Sequence, residues 1–167
     1  MSQKVDVTDD PLIIRYKGVY DFEGIYRFMR QFLEEKRFDV EEGRYKDKDV
    51  SPFGNEVEHK WKCWREITPF VKYNLEIRTD FEGVKEFEAN TDNGTKKVTS
   101  GKFEISLDGN VEFDWQNQYD SGWAKTFRDF YINTLFWNYY KYNYIAPFEN
   151  YIYEFQRKIK DYADMEA

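Results

Sequence analysis

The chain has 167 residues, 34% charged, 41% apolar and 20% aromatic: enough for one domain with its own core, and far too many rings for a disordered segment. Its formal charge of −7 argues against nucleic acid as a partner, because phosphate neutralisation is the main sequence-independent source of that affinity. Cys63 is the only cysteine, so no intrachain disulfide forms, and the polar first ten residues carry no apolar leader, which together give a cytoplasmic expectation.

Neither a repeat nor a Gly/Ser/Pro-rich linker interrupts the chain, so residues 1–167 are read as a single domain. Residues 1–10 are expected to be frayed, and residues 148–167 to form a C-terminal helical extension. Over residues 12–20, Leu12, Ile14 and Tyr16 alternate with Arg15 and Lys17, the period of a strand. Asp21 is placed to cap a helix of about four turns. In it Phe22, Ile25, Met29 and Phe32 or Leu33 recur at helical spacing, and Lys36 and Arg37 complement the dipole at the far end. Residues 38–45 read as a weaker strand, closed by a loop over residues 51–55.

From Glu56 the period is two. Val57, His59, Trp61, Cys63 and Ile67 alternate with Glu58, Lys60, Lys62 and Glu66; after a turn at Thr68-Pro69, Val71, Tyr73, Leu75, Ile77 and Phe81 alternate with Lys72, Asn74, Glu76 and Arg78. One face is therefore predicted buried and the other wet. Glu82-Gly83 is read as a turn before a short strand at Phe87 and Ala89. Asn93-Gly94 is a strong hairpin signal, and the sequon Asn93-Gly94-Thr95 is read as that turn rather than as a glycan acceptor. Phe103, Ile105 and Leu107 follow, then a turn over Asp108-Gly109-Asn110, then Val111, Phe113 and Trp115. Short connections imply an antiparallel meander.

Asp120 or Ser121 can cap a last helical region running from Trp123 to about Ile145. Pro147 lacks a backbone donor and disfavours helix at Ala146, which predicts a kink or break there. A second stripe, Phe148, Tyr151, Ile152, Phe155, Ile159 and Tyr162, repeats at spacings of three and four. Between them, Phe130 to Ile145 carries bulky residues on all sides and a single charge, Lys141, so it must be covered on more than one side. With sixteen residues, three of them Asn, it is too short and too polar to span a bilayer, and the acidic net charge makes membrane contact the least favoured cover.

The order strand, helix, about six antiparallel strands and long C-terminal helix resembles the helix-grip fold of START lipid-transfer and birch-pollen-allergen-type proteins. The fold class expected is α+β: an antiparallel sheet of about six to seven strands, one N-terminal helix after the first strand, and a long, Pro-kinked C-terminal helical region. One longer helix stands where that family has two short ones, which leaves a cystatin-like helix-on-sheet arrangement as the alternative. The resemblance implies an apolar cavity between sheet and last helix.

If the odd-numbered faces point inward, His59, Arg65, Thr79, Thr99 and Asn117 bring polar groups in with them, and Trp61, Tyr73, Trp115, Phe127 and Tyr131 complete the candidate ligand-binding set. Catalysis is not expected from it. His59 and Cys63 lie four residues apart on one strand, roughly 13 Å at the usual rise, so neither can activate the other. One His and one Cys do not make a zinc site, and no Ca loop, phosphate loop or nucleophile elbow is present; no cofactor or metal is expected. The candidate partner-binding stripe is Phe148, Tyr151, Ile152, Phe155 and Ile159, for a protein partner or a homodimer. The functional expectation is a non-enzymatic protein that holds a hydrophobic small molecule or lipid between sheet and C-terminal helix. The alternative is a structural or assembly protein docking through its aromatic C-terminal helices, and a cyclase or lyase using the same cavity, with Arg65, His59 or a Tyr as acid or base, ranks third.

Overall fold

The computed structural model describes residues 2–48, 55–91 and 94–165. It is an α+β arrangement in which an antiparallel sheet carries its helices on one face. The strands are β1 (Gln3–Asp6), β2 (Leu12–Tyr20), β3 (Asp39–Lys48), β4 (Asn55–Glu66), β5 (Val71–Thr91) and β6 (Gly94–Phe113). Their order across the sheet is β1-β6-β5-β4-β3, with β2 also paired to β6. β1 aligns with the end of β6 (Val5 opposite Val111) and β2 with its middle (Ile14 opposite Ile105), so the two lie end to end along one flank.

The alternation read from the sequence sets the register. Trp61, Tyr73, Leu75, Ile77, Phe103, Ile105 and Phe113 are all buried, whereas Lys60, Lys72, Glu104 and Glu112 on the opposite face are not. A one-residue slip would exchange the two sets. The turn after β4 is also as expected: the Thr68 hydroxyl accepts from the Phe70 and Val71 amides at 3.2 and 2.9 Å.

Three readings are corrected. Residues 3–6 are not frayed but form β1, and Val7 behind them is buried, its amide donating to the Gly109 carbonyl at 2.9 Å. Glu82-Gly83 is not a turn but a bulge inside a 21-residue β5, where Gly83 takes φ 65°, and the short strand at residues 87–89 is the far end of β5. Asp108-Gly109-Asn110 is not a turn either: it pairs directly with Glu76, Leu75 and Asn74 inside β6. Gly109 is there for space, since a Cβ on it would stand 2.3 Å from Ile152 Cδ1 and 3.4 Å from the Phe148 ring. Thr91 pairs with Gly94, whose φ is 117°; Asp92 and Asn93, like the loop residues 51–54, lie outside the described residues.

Helix α1 (Phe22–Glu35) starts where Asp21 accepts from the Gly24 amide at 2.8 Å and buries Ile25, Met29, Phe32 and Leu33, a stripe at the spacing the sequence shows. The C-terminal region is α2 (Gly122–Phe130), a π turn (Tyr131–Leu135), α3 (Trp137–Tyr140), a second π turn (Lys141–Ile145) and α4 (Ala146–Met165). Ala146 is helical, at φ −61° and ψ −40°, contrary to expectation. Pro147 follows without a break in the helix: the Ala146 amide still donates to the Lys141 carbonyl five residues back, so the backbone is helical right up to the proline. The irregularity expected at Pro147 takes the form of the π turn that ends just before it.

α4 is the second layer of the core rather than an extension. Phe155 stacks on Phe32 of α1 at 4.6 Å and 8°, and Phe148 stacks on Tyr73 of the sheet at 4.3 Å and 4°.

Candidate functional site

Between sheet and α4, where the resemblance implies a cavity, Phe148 stacks directly on Tyr73. Trp61 and Thr79 are buried within the same packed layer, Trp61 edge-on to Tyr26 at 4.8 Å. The Tyr73 hydroxyl donates to the Tyr144 carbonyl at 2.9 Å, and burial pushes its pKa up to about 12. His59 is half-buried at the opposite end of the sheet, between Phe22 and Tyr26, where burial lowers its pKa against the opposing pull of Glu42. Arg65 is half-buried on β4 and Thr99 buried on β6. Cys63 is buried and burial pushes its thiol up to about 12, which makes it a core residue and a poor nucleophile.

One hollow, of about 560 Å³, is lined by His59 and Thr79 among charged residues; a more apolar one lies at the end of the sheet where the chain leaves β6. Asp114 there takes φ 55° and Asn117 φ 54°, a left-handed conformation that Asp and Asn tolerate better than most residues. The turn is locked from inside. The Asp114 amide donates to the Phe70 carbonyl at 2.7 Å, and its carboxylate accepts from the Gln118 and Tyr119 amides at 2.8 and 3.1 Å. Arg128 of α2 reaches the same carboxylate at 3.0 Å and Asp129 at 2.7 Å. Side-chain exposures of 4% for Arg128 and 1% for Asp114 make this an interior pair. Burial alone would lower the Arg128 pKa; hydrogen bonds to Asp129 and Asp114 more than offset it, so the pKa is raised and the charge held.

That pair fixes α2 over the sheet end and leaves a groove of about 620 Å³. Val71 and Ile132, both buried, form its floor, and Phe70, Tyr140 and Tyr144 its inner wall. Tyr119, Phe127, Tyr131 and Tyr139 form the rim and are exposed. The rings touch in chains: Tyr140 lies 6.3 Å from Phe70 and 6.0 Å from Tyr144, and Tyr131 lies 6.0 Å from Phe127. No family model, curated protein or solved structure matches this chain.

Of the candidate ligand residues, Phe127 and Tyr131 line this groove and Trp115 and Asn117 stand beside it, Trp115 donating from Nε1 to the Thr68 carbonyl at 3.1 Å. The structure does not bring His59, Trp61, Arg65, Tyr73 and Thr79 to it. The partner stripe is also placed differently from its candidate role. Phe148, Ile152, Phe155 and Ile159 are no more than 1% exposed, and the half-buried Tyr151 stacks on Phe32 and Phe38 at 5.3 Å each. The apolar side chains that do face outward are earlier in the region: Trp123 at 81%, Tyr142 at 69%, Leu135 at 60% and Phe130 at 52%. No helix among the described residues is long and apolar enough to cross a membrane, and no three His, Cys, Asp or Glu among them gather as metal ligands.

Proposed function

We propose that this chain is a non-enzymatic binding protein that takes a hydrophobic small molecule or lipid into the aromatic groove under α2, the π turns and α3. The observation that carries this reading is the groove itself, of about 620 Å³, the size of a small-molecule site, with an aromatic wall and one charged residue already neutralised by carboxylates. The helix-grip resemblance supports it through element order and through a C-terminal helix laid across the sheet, with the ligand site moved from beneath that helix to the sheet end. Native mass spectrometry of the purified protein tests it by reporting retained ligand mass. Phe127→Ala and Tyr131→Ala, which remove rim rings without touching the core, are expected to abolish that retention; ligand retained equally by both variants would overturn the groove as the site.

A second reading, docking of a protein partner for assembly, is favoured by the outward row of Trp123, Phe130, Leu135 and Tyr142. The same spectrum reports subunit count. Trp123→Ser with Leu135→Ser is expected to dissociate any oligomer under this reading and to leave ligand retention alone.

A further inference from the structure

We propose that the groove selects ligands bearing an alkylated ammonium, a quaternary or tertiary amine on an apolar body. This rests on the reading that the groove holds a small molecule. The first support is the ring arrangement. Tyr139, Tyr140 and Tyr144 lie mutually 5.6, 6.0 and 6.2 Å apart, with Tyr139 set at 76° to Tyr140 and at 68° to Tyr144. Rings turned to one another in this way present both faces and edges to a shared space, and the negative face of a ring attracts a cation within about 6 Å of its centroid. The same chemistry is already in use next to the groove, where Lys72 Nζ stands 5.2 Å from the Trp115 centroid and 5.6 Å from that of Trp64.

The second support is charge. Among the described residues, Arg128 is the only charged one lining the groove, and two carboxylates, Asp114 and Asp129, meet its single guanidinium. An anion entering here finds no uncommitted guanidinium, because Arg128 is already held by Asp114 and Asp129, whereas a cation is favoured by the rings. Hydration decides which cation. A primary ammonium is compact and strongly hydrated and loses much on entering an aromatic wall; alkyl groups on nitrogen spread the charge and bring apolar surface of their own.

The test titrates the full chain, by NMR, with three probes of one shape: phenyltrimethylammonium, its neutral isostere tert-butylbenzene, and the anion benzenesulfonate. The cation is expected to bind about tenfold or more tighter than the isostere, the preference a desolvated cation–π contact supplies, and benzenesulfonate to bind weakest. Tyr139→Leu, at a half-exposed position whose loss leaves the core intact, is expected to remove most of the preference. It should leave tert-butylbenzene within about twofold, the change left once the charge-specific contact is gone. Equal affinity for cation and isostere would overturn the charge selectivity while leaving the groove as an apolar site. Tighter binding of benzenesulfonate would overturn the sign, and a chain that takes none of the three leaves neither reading standing.

Discussion

Arg128 is the residue on which the groove depends, because its guanidinium joins α2 to the turn after β6 through Asp114. Removing one partner of a buried pair strands the other charge, at a cost of about 3–5 kcal/mol. Arg128→Met is therefore expected to lower stability by about that much in urea unfolding. An unfolding midpoint within error of wild type would show that the pair does not hold α2 down. Gly109 is the second such position. Ala there has no backbone strain to meet but drives a methyl into Ile152 Cδ1, 2.3 Å away, and overpacking of this kind costs about 1–3 kcal/mol. Ile152→Val deletes that one carbon. Gly109→Ala with Ile152→Val should recover much of the loss, so a double-mutant cycle with no coupling would refute the steric account.

At the scale of elements, the helical region from Gly122 onward changes pitch twice. Its inward residues step Arg128, Ile132, Trp137, Tyr140, Ile145, Phe148. The two steps of five, from Ile132 to Trp137 and from Tyr140 to Ile145, each span one π turn. An inserted residue turns the helix by about 100° relative to what precedes it. This is why Phe130 to Ile145 shows bulky residues on every side: no single period describes its buried stripe, and the residues left over face the groove or solvent. Deleting Thr134, an exposed residue of the first π turn, restores α pitch and swings Arg128 off Asp114. The deletion is expected to keep far-ultraviolet helix signal and to lose about as much stability as Arg128→Met; unchanged stability would mean that the π turn does not place the pair. The sheet, by contrast, was legible from Val57 to Phe81 and from Phe103 to Phe113, where one period and one buried face suffice, but not across the bulge at Glu82-Gly83, which shifts the register between them. Asp108-Gly109-Asn110 misled because its turn chemistry is local, whereas the reason for the glycine is Ile152 on another element. The groove was half legible: Phe127 and Tyr131 stood out as rings on a helix, but Phe70, Tyr140 and Tyr144 join them only through the tertiary turn at Asp114, and no local pattern announces an Asp–Arg pair fourteen residues apart.

For the whole molecule, α4 is the element whose loss matters most. Phe148, Ile152, Phe155 and Ile159 are all essentially buried. At about 1.5–3 kcal/mol each they contribute roughly 6–12 kcal/mol, comparable with the roughly 5–15 kcal/mol net stability of an ordinary domain. A chain ending before Pro147 is expected to lose cooperative unfolding and to bind a hydrophobic dye as a monomer. A truncated protein that still melts sharply, without dye binding, would place the core elsewhere.

The late position of α4 also gives the fold an order in time. β6 is complete at Phe113, and with it the apolar face of the sheet, but the helix that covers that face buries residues as late as Ala163, fifty residues later. At synthesis rates of about 5–20 residues per second, that interval is roughly 3–10 s. Throughout it Tyr73 of the sheet has no Phe148 to stack on, and Phe32 of α1, already made, has no Phe155. During each round of synthesis the nascent chain therefore passes through a stage in which a nearly finished sheet offers an open apolar surface to its surroundings, and shielding by a chaperone matters most while α2 to α4 are being made.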